Sequence, residues 1–261
     1  MATLHVALAW QQAVREAGLE RLDAQVLLLH ALGRSDDPQG RAWLLAHDTD
    51  PLAQEVIERY RALVARRVAG EPLAYLLGWR EFHGLRLEVT PAVLVPRPDT
   101  ETLVDWALAC LPPPPATPRV LDLGTGSGAI ALAIRHAAPH AQVSAVDSSA
   151  AALEVARRNG QRLDLPVRWH LGNWFEALPD GEPPFDLVVS NPPYVAQGDP
   201  HLAALGHEPR CALTSGPQGL DDLAHLARHA PGWLVPGGQL LLEHGHDQAP
   251  AVQALLHVAG F

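Results

Sequence analysis

Residues 191 to 194 read Asn-Pro-Pro-Tyr and close an apolar run, Phe185 to Ser190. An Asn side chain offers a carbonyl acceptor beside an NH₂ donor. Pro192 fixes its own φ, biases Asn191 away from helical geometry, and leaves a carbonyl free with no N–H. Asn191 Oδ1 and a backbone carbonyl at Pro192 can then each take one hydrogen from a planar –NH₂. Two acceptors placed off the amide plane turn the nitrogen lone pair toward an electrophile. Tyr194 adds a flat face, and Pro193 completes the wall. Asn191, Pro192 and Tyr194 are thus the candidate catalytic residues, and all four positions are candidates for holding the acceptor. Taken alone, the tetrapeptide reads first as a Pro-rich turn after a buried strand, since Asn-Pro commonly starts one.

The context upstream points beyond a turn. The stretch Arg119 to Gly128 reads Arg-Val-Leu-Asp-Leu-Gly-Thr-Gly-Ser-Gly and leads into an apolar helical segment, Ala129 to Ile134. Glycines at a strand-to-helix turn let the backbone approach a ligand closely, with a helix N-terminus behind. A second apolar run, Val143 to Val146, ends in Asp147. An acid at that point can bind two ribose hydroxyls. A nucleoside-containing cofactor follows from these features. Gly124-x-Gly126-x-x-Ala129 also fits the relaxed dinucleotide fingerprint, a weak signal by itself. An NAD enzyme would leave the tetrapeptide unexplained. Asp122, just before the glycines, is placed to meet a cationic amino-acid portion of a ligand.

Asp122 to Gly128, Asp147 and Asn191 to Tyr194 together resemble class I S-adenosylmethionine-dependent methyltransferases that act on amino or amide nitrogen. Further stretches are similar to the peptide chain release factor glutamine N5-methyltransferases: Gly70 to Gly84, Leu94-Val-Pro-Arg-Pro-Asp-Thr-Glu101, Asn173-Trp-Phe175, Glu208-Pro-Arg210 with Ala212-Leu213, and Leu234-Val-Pro-Gly-Gly238. The resemblance covers roughly residues 20 to 261 and implies a Rossmann-like α/β domain with a mostly parallel sheet, behind a small all-helical N-terminal domain. It implies S-adenosylmethionine as cofactor, held by Gly124, Thr125, Gly126, Ser127, Gly128, Asp147, Trp174 and Asn191, with Trp174 near the adenine. The implied acceptor is the glutamine of the Gly-Gly-Gln loop of release factors, docked by the helical domain. Alternatives are an adenine-N6 DNA or RNA methyltransferase, a glutamine methyltransferase of a ribosomal protein, and a non-catalytic adaptor. Two further antiparallel strands are implied beyond Gly260-Phe261, where the sequence ends, so a bare sheet edge is expected.

Composition bears on these alternatives. The chain has 261 residues, 48% hydrophobic and 18% charged, with a net charge of −10. Free duplex DNA is normally gripped through a basic footprint. The nearest candidate, Arg59, Arg61, Arg66 and Arg67, reads as a solvated helix face, so direct nucleic-acid contact is not expected. Cys110 and Cys211 lie too far apart for a metal pair or a disulfide framework. His136 with His140, and His244 with His246, lack a third ligand, so no metal is expected. No run of 18 apolar residues suggests a membrane span, and no charged n-region precedes an apolar segment. A cytoplasmic monomer is expected.

The pattern along the chain positions these groups. Residues 1–70 read as helices: a face begun by Leu4, Ala7, Leu8 and Ala13, then Ala24 to Leu32, Trp43 to Ala46, and Pro51 to Val68. Residues 71–98 read as a connector, with a hairpin through Phe82, Leu85, Leu87 and Val89 turning at His83-Gly84. Asp99 or Thr100 is expected to cap a helix running to Leu111, stopped by Pro112 to Pro115. Residues 99–261 read as the methyltransferase domain. Strands are expected at 119–123, 142–147, 167–170, 185–190 and 238–243, with helices near 128–137, 149–160, 220–230 and 248–259.

Overall fold

The computed structural model describes residues 4–35 and 37–261. Two units divide the chain, Met1–Gly78 and Trp79–Phe261. The first is built from α1 (Val6–Ala17), α2 (Arg21–Ala31), α3 (Gly40–Ala46), α4 (Gln54–Val68) and α5 (Leu73–Leu77). Gly18 ends α1 at φ 69°, a left-handed cap that costs glycine nothing. Val6, Ala9, Leu27, Leu28, Leu44, Ile57 and Leu76 interlock as one apolar core. The buried Tyr60 hydroxyl donates to the Ala24 carbonyl at 3.1 Å, tying α4 to α2. Three of the four arginines bond within the chain: Arg59 donates to the Glu55 carbonyl at 3.4 Å, Arg66 pairs with Glu71, and Arg67 donates to Asp23 at 2.7 Å. The five-residue α5 was not expected; Pro72 marks its start rather than the start of an extended connector.

In the second unit, β1 (Trp79–Phe82) and β2 (Leu85–Glu88) form an antiparallel hairpin that turns at His83 and Gly84, both at positive φ. Helix α6 (Asp99–Cys110) follows. Its N-cap is Pro98, with no side-chain cap, so neither Asp99 nor Thr100 caps it. The fixed φ of proline starts the helix one residue early, and Asp99 and Glu101 instead favour the positive first turn.

Then come β3 (Arg119–Leu123), α7 (Ala129–Ala137), β4 (Gln142–Asp147), α8 (Ala150–Leu163), β5 (Arg168–Leu171), β6 (Phe185–Ser190), α9 (Asp221–His229), β7 (Leu234–Leu242) and α10 (Ala249–Ala259). The five sheet strands pair in parallel in the order β5-β4-β3-β6-β7. Both faces are covered, as a parallel sheet requires. Val120, Leu187 and Val189 pack with Phe82, Val104 and Ile134 on one face. Leu121, Leu123 and Val188 pack with Phe175 and Leu226 on the other. β7 starts four residues before the expected 238, because Leu234 already pairs with Phe185 and the residues up to Gly238, with Gly237 at φ 81°, are taken up in a register shift before Gln239 pairs with Leu187.

Candidate active site

From β3 the chain winds outward to β4 and β5, then returns to the other side of β3 as β6. Such a switch point opens a crevice at the carboxyl ends of the strands. Leu123 lies opposite Ser190, so Gly124 and Asn191 leave the sheet side by side. The buried Ser190 hydroxyl fastens the two strand ends by donating to the Leu123 carbonyl at 2.6 Å.

A cleft of about 690 Å³ opens there, lined among others by Gly124, Gly126, Asp147, Ser149, Asn173, Trp174, Asn191 and Pro193. A second recess of about 420 Å³ is lined among others by Leu94, Arg97, Asn191, Pro192, Tyr194 and Leu213. Asn191 belongs to both walls. Its Nδ2 donates to Thr100 Oγ1 at 3.0 Å, and no described residue donates to its Oδ1. The Pro192 carbonyl likewise accepts no hydrogen bond among the described residues.

The three glycines do different work. All have positive φ, at 74°, 55° and 83° for Gly124, Gly126 and Gly128. A Cβ on Gly126 would meet nothing within 4 Å, one on Gly124 would touch the Trp174 ring at 3.3 Å, and one on Gly128 would press on Leu132, Trp169 and Ala156 at 3.1 to 3.2 Å. Gly126 is therefore bare backbone facing the cleft, whereas Gly128 is a packing contact. Asp147 braces the turn: Oδ2 accepts from the Gly126 N–H and Oδ1 from the Ser149 N–H, both at 2.8 Å. Burial raises its pKa, opposed by these two hydrogen bonds.

Two models and the curated relatives place this arrangement. A model described as "Methyltransferase small domain" matches residues 103–208, and one described as "PrmC N-terminal domain" matches residues 7–78. A release factor glutamine methyltransferase of Bordetella pertussis is 56% identical over 247 residues, 94% of this chain and 89% of that protein. The chain belongs to the release factor glutamine methyltransferase family. The Escherichia coli member is 44% identical, with 92% of this chain and 85% of that protein covered. Among solved structures, a methyltransferase from Pyrococcus furiosus matches at TM-score 0.50 and 23% identity, covering 75% of this chain and 86% of that one. A 16S rRNA methyltransferase of T. thermophilus matches at TM-score 0.51 and 22% identity, covering 69% and 44%. At such identity these structures speak to the class I methyltransferase fold alone.

Not every residue expected at the family's site faces the cleft. Asp122 is fully buried and turned into the loop, where its Oδ2 accepts from the Thr125 hydroxyl at 2.6 Å and the Ala131 N–H at 3.2 Å. It does not line the cleft, so the expected contact with a cationic ligand group is not formed by its placement. Burial pushes its carboxyl up to about 7. Thr125, Ser127 and Gly128 also stay out of the cleft wall. The Ser127 carbonyl accepts from the buried Asn159 amide, which also clamps both backbone groups of Glu88 at 2.7 and 3.0 Å.

Trp174 does line the cleft, at φ 44°, a strained value for a side-chain-bearing residue. Its ring lies over Gly124, and its Nε1 donates to Asp222 at 3.2 Å. Tyr194 points its hydroxyl at Glu243 Oε1, 3.1 Å away, and burial followed by the Glu243 charge pushes it up to about 12. The Tyr194 carbonyl accepts from Gln248 Nε2 at 3.0 Å. The buried Glu208 takes the Val95 N–H on one oxygen and Arg97 on the other. Thr100, Asn159, Glu208, Asp222, Glu243 and Gln248 were not expected at the site. Only the Glu208-Pro209-Arg210 and Pro-Arg-Pro-Asp-Thr-Glu stretches hinted at two of them.

Proposed function

We propose that this chain transfers a methyl group from S-adenosylmethionine to the side-chain amide nitrogen, N5, of the glutamine in the Gly-Gly-Gln loop of peptide chain release factors. The observation that carries the reading is the placement of Asn191 at the junction of the two recesses, with an unengaged Oδ1 beside an unengaged Pro192 carbonyl. The high identity to release factor glutamine methyltransferases supports the acceptor.

The larger cleft suits the cofactor. Gly126 offers backbone on which nothing sits within 4 Å of a would-be Cβ. Asp147 has lone pairs to spare beyond its two backbone donors, enough to accept from ribose hydroxyls. Gly124, Gly126, Asp147, Asn173 and Trp174 would hold the group. When bound, it supplies an electrophilic methyl on a sulfonium.

The chain's own part is orientation. A glutamine amide is a poor nucleophile because resonance spreads its lone pair. Asn191 Oδ1 and the Pro192 carbonyl accept the two N–H groups, and that pairing favours a nitrogen whose lone pair points at the cofactor cleft. Such bonds strengthen as the nitrogen gains positive charge from the arriving methyl, so they act mainly in the transition state. The Tyr194 ring walls the acceptor recess with its hydroxyl held back by Glu243. No residue need act as a strong base, since the proton leaves after the methyl has arrived.

On this reading the protein acts as a monomer on release factors in the cytoplasm. Among the described residues no helix is long and apolar enough to cross a membrane, and no His, Cys, Asp and Glu group could hold a metal. The test is transfer of labelled methyl to purified release factor, to its Gln→Ala loop mutant, and to adenine-containing DNA. Label on wild-type release factor alone is expected. Label on the DNA would overturn the reading.

A further inference from the structure

We infer that Thr100 is a positioning residue for methyl transfer: its hydroxyl accepts Asn191 Nδ2 at 3.0 Å and thereby holds Oδ1 toward the acceptor. The inference rests on the proposed role of Asn191, which it deepens by naming what sets the amide's direction. A primary amide is nearly symmetric in shape but opposite in polarity at its two ends. Turned over, Asn191 would present a donor to the substrate's own donors, and the recess would repel the group it has to hold. A hydroxyl can accept from Nδ2 or donate to Oδ1; with the hydroxyl accepting, as here, Oδ1 is left for the substrate, provided that hydroxyl cannot move.

Thr100 meets that condition. It is only 5% exposed and sits in the first turn of α6. Its backbone N–H donates to the Arg97 carbonyl at 3.2 Å. The flanking residues are fastened in turn. Arg97 pairs with the buried Glu208, and Glu101 Oε1 accepts from the His83 N–H at 3.0 Å. The hydroxyl is thus carried on a helix start pinned on both sides, and β6 delivers Asn191 to it from 91 residues away. A threonine keeps few rotamers, so the acceptor stays aimed. Valine has the same shape and no oxygen; serine keeps the oxygen and loses the methyl.

The test compares the intact protein with Thr100→Val and Thr100→Ser. With ¹⁵N-labelled asparagine, the Asn191 side-chain amide, assigned by its loss in Asn191→Asp, is expected to exchange slowly with solvent in the wild type and in Thr100→Ser, and fast in Thr100→Val. Equal exchange in the wild type and Thr100→Val overturns the inference. In steady-state transfer, Thr100→Val is expected to lower kcat roughly 10- to 100-fold. Its cofactor Kd and release factor KM should stay within about threefold, and Thr100→Ser should recover most of kcat. An unchanged kcat in Thr100→Val, or a Thr100→Ser no better than valine, overturns it. The amide measurement needs no acceptor, so it judges Thr100 even where wild-type protein labels no release factor, an outcome that defeats the functional reading alone.

Discussion

At the scale of single residues, the site rests on groups whose neighbours have already taken part of their hydrogen-bonding capacity. Asn191 gives its NH₂ to Thr100, and no described residue donates to its oxygen, which the proposed reading reserves for the acceptor. Asn191→Ala is therefore expected to lower kcat about 100-fold or more, the usual loss for one preorganised transition-state hydrogen bond. Calorimetric titration should find cofactor affinity within several-fold of wild type; a large loss of affinity with turnover per bound complex intact would assign Asn191 to the cofactor instead. Asp122 presents a different case. Its ordinary value is 3.8 and burial lifts it to about 7. Between these values the native state keeps a proton that the unfolded chain has released. The native state then binds more protons, and the stability Asp122 contributes is present below about pH 4 and lost as pH rises through about 7. Relative to Asp122→Asn, wild-type unfolding free energy should fall across that window by an amount on the order of a few kcal/mol. Denaturant melts of both proteins at pH 4, 5.5 and 8 measure it, and a difference that does not vary with pH would mean that Asp122 stays ionised throughout.

At the scale of elements, the glycine turn between β3 and α7 separates ligand approach from packing within three residues. Alanine at Gly128 would be forced into the left-handed region, which costs roughly 1–2 kcal/mol, and would also crowd Leu132, Trp169 and Ala156. Alanine at Gly126 carries the same kind of strain with open space around it. Gly128→Ala should thus lower Tm by more than Gly126→Ala, while Gly126→Ala should weaken cofactor binding the more, because its methyl enters the cleft. Paired melting and titration experiments decide this, and identical profiles for the two variants would count against distinct roles. The parts of the fold visible in the sequence were those set by local pattern. Strands β3, β4 and β6 were legible because each is an apolar run ending at a glycine, an acid or an Asn-Pro. The start of β7 was hidden by Pro236-Gly237-Gly238, which reads as a turn yet continues an edge strand. At the site, Gly124, Gly126, Asp147 and Asn191 could be found at strand ends. The groups that orient them could not, since Thr100 meets Asn191 across 91 residues, Asn159 meets Glu88 across 71, and Arg97 meets Glu208 across 111. Side chains that meet only after the sheet has assembled leave no periodicity to read.

At the scale of the whole molecule, the chain separates into Met1–Gly78 and Trp79–Phe261, each with apolar clusters of its own. Every residue lining the larger cleft, the proposed cofactor site, falls between Ala92 and Ala212, in the second unit. The core of the helical unit includes Leu28, which is fully buried on α2. Truncation of such a leucine costs roughly 2–5 kcal/mol, part from lost transfer energy and part from the cavity left behind. Leu28→Ala is therefore expected to loosen the helical unit selectively. Cofactor affinity, read by calorimetry at a temperature where the second unit stays folded, should remain within about twofold of wild type, since no contact with that ligand is touched. If the helical unit docks the release factor, the same variant should raise KM for release factor by at least several-fold. Uniform binding lost from a remote surface appears in KM before it appears in kcat. A parallel fall in cofactor affinity would show that the two units share one cooperative core; an unchanged KM in a demonstrably loosened helical unit would move the docking surface into Trp79–Phe261, where the acceptor recess beside Tyr194 would have to provide it.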